Sequence, residues 1–271
     1  MDSGPGTSHR LAVVGHPVGH SRSPAMQMAA LADLGLAASW EYGAIDLEPE
    51  GFEAGIGDLV EAGYVGVNVT VPHKEAALRI ADTASDAARE IGAANTLTFG
   101  ESGILAENTD GPALAGFIPA DIEGKPALVL GAGGAARAAI WALAGAGATV
   151  SIWNRTASRA EELGRETGSE PVEAPDGAGF AAIVNASAAG MDGRDPFEAL
   201  PLAPDSIEPG QLVIDMVYGE SPGALVEAAK AAGATAVDGI DVLVAQGALS
   251  LEVWTGTAPD RSVMEVAARA V

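Results

Sequence analysis

Lys74 stands where the apolar, β-branched run Asn68-Val69-Thr70-Val71 stops at Pro72-His73 and the helix-like run Glu75-Ala76-Ala77-Leu78-Arg79-Ile80 begins. The end of a strand feeding the start of a helix is a common mount for catalytic groups. The chain's only lysines are Lys74, Lys125 and Lys230, so one placed beside a proline at an apolar strand end reads as more than a solubilising charge. An amine there can exchange a proton with a substrate oxygen if its surroundings manage a pKa of about 10.4. A helix start should lower that value, because the dipole disfavours a second positive charge there. Asn108-Thr109-Asp110-Gly111 supplies a carboxylate in a turn, which would pull the other way and orient the ammonium. Taken singly, Lys74 reads equally well as a surface residue and Asp110 as a turn residue.

A third group of residues points to a ligand rather than a reaction. Gly131-Ala132-Gly133-Gly134-Ala135-Ala136 follows the apolar run Leu128-Val129-Leu130 and precedes an Ala-rich stretch. Gly131, Gly133 and Ala136 fit G-x-G-x-x-G/A: one glycine for a tight turn, one for close approach of a pyrophosphate, and a small residue for helix-strand packing. The helix start would offer free N–H groups to an anion. An NAD site carries an acid about 20 residues further on, but the chain has Ser151-Ile152-Trp153-Asn154-Arg155-Thr156-Ala157-Ser158-Arg159 there. No carboxylate ends that strand, and Arg155 and Arg159 can converge on a phosphate, which favours NADP over NAD. The plainer alternative is a helix capped by Thr156 with two exposed arginines. Lysine, aspartate and dinucleotide loop together indicate a nicotinamide-dependent oxidoreductase.

The stretch Gly15-His16-Pro17-Val18-Gly19-His20-Ser21-Arg22-Ser23-Pro24 also ends a strand and opens a helix. Ser23 reads as an N-cap with Pro24 at the first helical position. Ser21 and Ser23 beside a helix start equally make a carboxylate site without a basic residue. The sequence leaves both readings open.

These groups need a scaffold, and the alternation of short β-branched runs with Ala-rich runs is that of parallel βαβ units. Strands are expected near 11–15, 40–47, 64–71, 127–131, 149–154, 181–187, 212–218 and 234–238. Helices are expected near 24–34, 52–62, 74–81, 84–91, 134–146, 156–167, 222–232, 241–255 and 262–270. Residues 96–106 read as a hairpin around a Gly-containing turn. The glycine loop starts late, so an α/β substrate domain (1–109) should precede a Rossmann-like, doubly wound nucleotide domain (110–240). The apolar C-terminal helices (241–271) can pack on either lobe, and periodicity does not choose.

Composition narrows the classes. At 271 residues and 48% hydrophobic the chain can bury a large core. No apolar run reaches the roughly 18 residues that span a bilayer, and residues 1–8 lack the basic and apolar regions of a signal peptide; a soluble, cytoplasmic protein is expected. The absence of cysteine excludes disulfides, thiolate metal sites and a cysteine nucleophile. His9, His16, His20 and His73 show no metal-ligand spacing, so no metal is expected. A formal net charge of -23 argues against nucleic acid and anionic membrane, both polyanions needing a basic patch. The expected partner is a small-molecule substrate, with the chain a monomer or homodimer.

Taken together, Gly15 to Pro24, Asn68 to Lys74, Gly92-Ala93-Ala94-Asn95-Thr96, Asn108 to Gly111, Gly131 to Ala136, Asn154 to Arg159, Asn185-Ala186-Ser187-Ala188-Ala189-Gly190-Met191 and Leu243 to Gln246 resemble the shikimate dehydrogenase family. The resemblance implies NADP-dependent interconversion of 3-dehydroshikimate and shikimate, a step towards aromatic amino acids, on a substrate lobe and a Rossmann lobe with the active site in the cleft. It implies that Ser21 and Ser23 hold the substrate carboxylate, that Thr70, Asn95, Tyr218 and Gln246 bond the ring hydroxyls, and that Lys74 and Asp110 form the catalytic pair. It further implies Gly131, Ala132, Gly133, Gly134 and Ala135 on the pyrophosphate, Asn154, Arg155, Thr156 and Arg159 on the 2′-phosphate, and Met216 and Gly239 near the nicotinamide. A paralogue acting on quinate or an aminoshikimate is the near alternative, since one ring substituent needs only a small pocket change; serine at both Ser21 and Ser23 leans towards shikimate. A redox-inactive NADP sensor is the distant alternative.

The chain departs from that pattern in three places. Met26-Gln27 replaces His-Asn, a matter of helix packing. Glu220 and Gly223 stand after Tyr218 in place of Pro and Thr. Asp241 occupies a usual glycine position, where a carboxylate is expected to crowd or repel the nicotinamide end of the cofactor.

Overall fold

The computed structural model describes residues 9–191, 193–219 and 223–271; Glu220 and the polar segment 1–8 lie outside them. The chain forms two compact units, one taking the chain up to Thr109 together with Val244–Val271, the other Asp110–Leu243.

The first unit runs β1 (His9–Gly15), α1 (Ser23–Asp33), β2 (Trp40–Asp46), α2 (Phe52–Glu61), β3 (Tyr64–Val69), α3 (Lys74–Ile80), β4 (Thr83–Ala84), α4 (Asp86–Ile91), β5 (Thr96–Gly100) and β6 (Gly103–Glu107). Its sheet has the order β2-β1-β3-β5-β6-β4, with β1 parallel to both β2 and β3. β5 and β6 form the expected antiparallel hairpin, closed at Gly100 and Gly103. Side chains alternate across β3 as strand geometry requires. Val67 and Val69 join Phe52, Ile56 and Leu59 of α2 and Ala77 of α3 in one apolar core. Gly66 and Asn68 point to the other side, and a Cβ on Gly66 would strike the Trp254 indole.

The second unit runs α5 (Asp110–Ala115), β7 (Pro126–Leu130), α6 (Gly134–Gly145), β8 (Thr149–Trp153), α7 (Ala157–Thr167), β9 (Glu170–Pro171), β10 (Ala182–Asn185), β11 (Leu212–Asp215), α8 (Ala224–Ala232) and β12 (Thr235–Val237). The sheet is parallel throughout, in the order β12-β11-β10-β7-β8-β9. Numbered from β7, this is the doubly wound order 3-2-1-4-5-6, which leaves a crevice at the carboxyl ends of its two central strands, β7 and β10.

α9 (Gly239–Thr255) and α10 (Arg261–Arg269) close the chain. The boundary between the units falls inside α9, so all but its first residues belong with the first unit. The choice that periodicity left open is made by packing: Gln27 Nε2 of α1 donates to the Gly247 carbonyl at 3.0 Å, and Arg22 Nη1 to that of Ala268 at 3.0 Å. Met26 and Gln27 are fully buried against Gly247, the packing role expected of them. No helix of the described residues is long and apolar enough to cross a membrane.

Candidate active site

In the first unit Thr70 and Asn95 lie next to strand ends, Ser21 in the β1–α1 loop, Ser23 at the start of α1 and Gln246 within α9. Thr70 follows β3, and its methyl packs on Gly15, where any Cβ would collide with it. The Thr70 N–H donates to Val14 O at 2.9 Å and the Val69 N–H to Asn95 O at 2.8 Å, which ties the 69–70 corner to its neighbours. Lys74, half-buried, is the first residue of α3, after His73. The His73 ring stacks on Phe52 with centroids 4.4 Å apart, and its Nε2–H donates to Leu47 O at 2.7 Å. Burial holds the His73 pKa below its ordinary value, so the ring is neutral and anchors the residue before Lys74.

Asn95 is buried and bonded through both ends of its side-chain amide. Its amide donates to Thr109 Oγ1 at 2.9 Å and Gln246 Oε1 at 3.1 Å, while its carbonyl oxygen accepts the Thr109 N–H at 2.7 Å. The structure thus brings Asn95 and Gln246 together and fixes the backbone residue immediately before Asp110. Behind them lies a second layer that motif reading passed over. Asn68 Oδ1 accepts from Tyr42 at 2.7 Å, and its amide donates to Ser250 Oγ at 2.9 Å and to Thr96 Oγ1 at 3.2 Å. A signal for it existed: Asn68 is a polar side chain inside an apolar strand, and such a group must find partners when buried.

Ser23 is not the N-cap of α1. Arg22 takes that position and its side chain makes no capping bond, because the helix starts one residue earlier than expected. The Ser23 N–H instead meets Ser21 Oγ at 3.3 Å, and Pro24 has no N–H to be capped. Asp110, expected in a turn, opens α5 and is buried; Pro112 suits the first turn, where its missing N–H is not needed.

In the second unit Gly131 has φ +125°, and a Cβ there would lie 2.7 Å from Ala186 O, so glycine is required where the loops after β7 and β10 meet. Ala136 is fully buried, as its packing role demands. No side chain caps α6 behind the extended Gly133, which leaves the first-turn N–H groups of Gly134 and Ala135 for a ligand. Thr156 holds the N-cap position of α7 without a side-chain cap bond, contrary to the capping alternative. Among the described residues Arg155 and Arg159 make no ion pair, whereas nearby Arg137 is bound to Glu166 at 2.6 Å. Asn154 Nδ2 donates to Thr156 O at 3.0 Å, shaping the turn. A loop in which Gly131 admits no side chain, a bare helix start and two unpaired cations suit a dinucleotide with an extra phosphate.

The segment Met216-Val217-Tyr218 is held from below. Asp215 Oδ1 accepts from Asn185 Nδ2 at 2.9 Å and from the Val217 N–H at 3.1 Å. Burial, with a smaller push from the Asp238 charge, raises the Asp215 pKa to about 6 despite those bonds. A Cβ on Gly239 would lie 2.6 Å from Val217 C, so that glycine is set by the approach of α9 to this segment. Asp241 has a structural role at the start of α9. Its Oδ2 accepts the Asp238 N–H at 3.2 Å, and Asp238 Oδ1 accepts the Asp241 N–H at 3.0 Å. This is a capping box, and it gives the departure from glycine a structural reason.

Three families match in succession: the shikimate dehydrogenase substrate binding domain over residues 13–97, shikimate / quinate 5-dehydrogenase over 113–186 and the shikimate 5′-dehydrogenase C-terminal domain over 239–269. A shikimate dehydrogenase (NADP(+)) from an Anaeromyxobacter species is 43% identical over 94% of both chains. The chain belongs to the shikimate dehydrogenase family. The crystal structure of shikimate 5-dehydrogenase from Thermus thermophilus in complex with NADP(H) and shikimate superposes with a TM-score of 0.86 at 40% identity, covering 97% of this chain and 99% of that one. A 5-ketofructose reductase from a Gluconobacter strain superposes at 0.83 with 29% identity, covering 97% and 98%.

Proposed function

We propose that the protein interconverts 3-dehydroshikimate and shikimate with NADP(H). The observation that carries this is the Asn95–Gln246–Thr109 arrangement, an amide pair bonded side by side and joined to the backbone just before Asp110, in a member of this family. Ser21 and Ser23 take the substrate carboxylate, while Thr70, Asn95, Tyr218 and Gln246 take the ring hydroxyls. Lys74 exchanges the proton of the reacting oxygen, with Asp110 as the carboxylate that orients it. Bound NADP supplies the hydride acceptor. Gly131 to Ala135 hold its pyrophosphate, Asn154, Arg155, Thr156 and Arg159 its 2′-phosphate, and Met216 and Gly239 flank its nicotinamide end. Hydrogen bonds to several hydroxyls confer strong selectivity, because a substrate lacking one leaves a buried polar group unpaired.

Steady-state kinetics with shikimate, quinate, an aminoshikimate and 5-ketofructose, each with NADP(H) and NAD(H), tests the reading. The expected result is the highest kcat/KM for shikimate with NADP. A higher kcat/KM for another substrate reassigns the pocket, and NADPH binding without turnover of any of them identifies a sensor.

A further inference from the structure

The loop between β1 and α1 carries Ser21, and its position is set from the end of β2. The Leu47 N–H donates to Gly15 O at 3.1 Å and the His16 N–H to Val71 O at 3.0 Å, while Ser21 N–H closes a turn onto Val18 O at 2.9 Å. To these backbone bonds one side chain adds two more. Asp46, the last residue of β2, accepts from His16 Nδ1 through Oδ1 at 2.6 Å and from the Val18 N–H through Oδ2 at 3.0 Å. Both oxygens are used, on the residues either side of Pro17. Val18 is in turn the residue whose carbonyl fixes Ser21.

The pair is a poor candidate for a stability device. Side-chain exposure is 40% for His16 and 47% for Asp46, a setting in which an ion pair is worth little to the fold. The groups around it do favour its formation: Asp46, Glu48 and Glu50 raise the His16 pKa, and His16 lowers that of Asp46. The remaining titratable neighbour, His73, is neutral. What the contact secures is the shape of an exposed loop, which otherwise has several conformations open to it.

We infer that Asp46 is a positioning residue for the substrate carboxylate, gripping His16 and Val18 so that the turn presents Ser21 and the start of α1 correctly. The inference rests on the assignment of the carboxylate to Ser21 and Ser23. In this role Asp46 acts through the loop rather than by touching substrate or cofactor, so its loss should be felt in substrate binding more than in the rate of the chemical step.

The test is a double-mutant cycle on kinetics with shikimate and NADP, combining Asp46→Ala with the pair Ser21→Ala and Ser23→Ala, with melting temperatures alongside. Asp46→Ala is expected to raise the shikimate KM about tenfold, leave kcat within about twofold and leave the NADP KM and melting temperature near wild type. Asp46→Asn, which keeps one acceptor for the Val18 N–H, should recover part of that loss. The combined variant should bind shikimate no worse than the serine variant. If the two losses multiply instead, Asp46 acts elsewhere and the inference is overturned. An unchanged shikimate KM in Asp46→Ala, with a raised KM in the serine variant, overturns the inference alone. An unchanged KM in the serine variant removes the carboxylate assignment itself.

Discussion

In the first unit the groups assigned to substrate, Asn95 and Gln246, are buried and bonded to one another; in the second, Arg155, Thr156 and Arg159 stand exposed beside the glycine-rich loop after β7, where Gly131 is set by close backbone approach. The contrast follows from the ligands. A small ring bearing hydroxyls is read by side-chain donors and acceptors held rigidly, and rigidity comes from burying them in a satisfied network. A phosphate is read by charge and by N–H groups whose direction the fold already fixes. Substitutions should therefore disturb fold and binding together in the buried network of the first unit, and binding alone on the cofactor-phosphate face of the second.

The largest effect tests the chemistry both units serve. Lys74→Ala should lower kcat by about 10²–10⁴-fold with little change in substrate affinity, since the proton moves in the transition state; a variant that kept wild-type kcat would remove Lys74 from the mechanism. Asn68→Ala should lower stability by about 3 kcal/mol in denaturant titration, because Tyr42, Thr96 and Ser250 lose a buried partner together, and should also raise the shikimate KM. A loss under about 1 kcal/mol would mean that water satisfies the network and that it is less rigid than the comparison requires.

On the second unit, Asp215 sharpens the contrast as a buried carboxylate beneath the Met216-Val217-Tyr218 segment. Its folded pKa of about 6 lies above the unfolded 3.8, so the native state binds the extra proton. Its contribution is therefore most favourable below the unfolded value and is lost as pH rises through the folded one. Asp215→Asn should stabilise the protein by about 2–3 kcal/mol at pH 7 and by nothing at about pH 3, measured by chemical denaturation at both. An unchanged stability at pH 7 would show that the charge is accommodated without penalty. Arg155→Ala should raise the NADP KM about ten- to a hundredfold, the worth of a charge-assisted phosphate contact, with NAD kinetics and melting temperature unmoved. A fall in melting temperature would make Arg155 part of the fold. Smallest is Asp241→Gly. Breaking the capping box should cost about 0.5–2 kcal/mol of stability, while NADP affinity improves only if the carboxylate also repels the cofactor.

The alternation of strands and helices, the β5–β6 hairpin and the demand for glycine at 131 were legible because each has a local cause: side-chain period, turn chemistry and backbone approach. β4 and β9, two residues each, are too short to carry a period. α9 is buried on so many sides that its apolar pattern names no single face, and the bonds of Gln27, Asn68 and Asn95 to it reveal where most of it packs. α5 was hidden because Asn108-Thr109-Asp110-Gly111-Pro112 has turn composition, although Pro112 near a helix start is compatible with helix. The structural role of Asp241 was overlooked because it was read only as a family position, yet its spacing of three from Asp238 was itself a capping signal. The grip of Asp46 on His16 and Val18 is a contact between distant segments, and no local pattern encodes it.

Because the second unit is inserted at Thr109 and the chain returns inside α9, the residues of the first unit are complete only after the whole second unit has been made. Asp110–Leu243 is one continuous stretch that can fold as soon as it leaves the ribosome, as domains generally do. The sheet begun by β1 cannot be finished then: Gln27, Gly66 and Asn68 await Gly247, Ser250 and Trp254, all made after the whole second unit. The unit that starts first is completed last, and a nascent chain halted before α9 would expose a half-covered sheet whose buried asparagine has lost its serine partner.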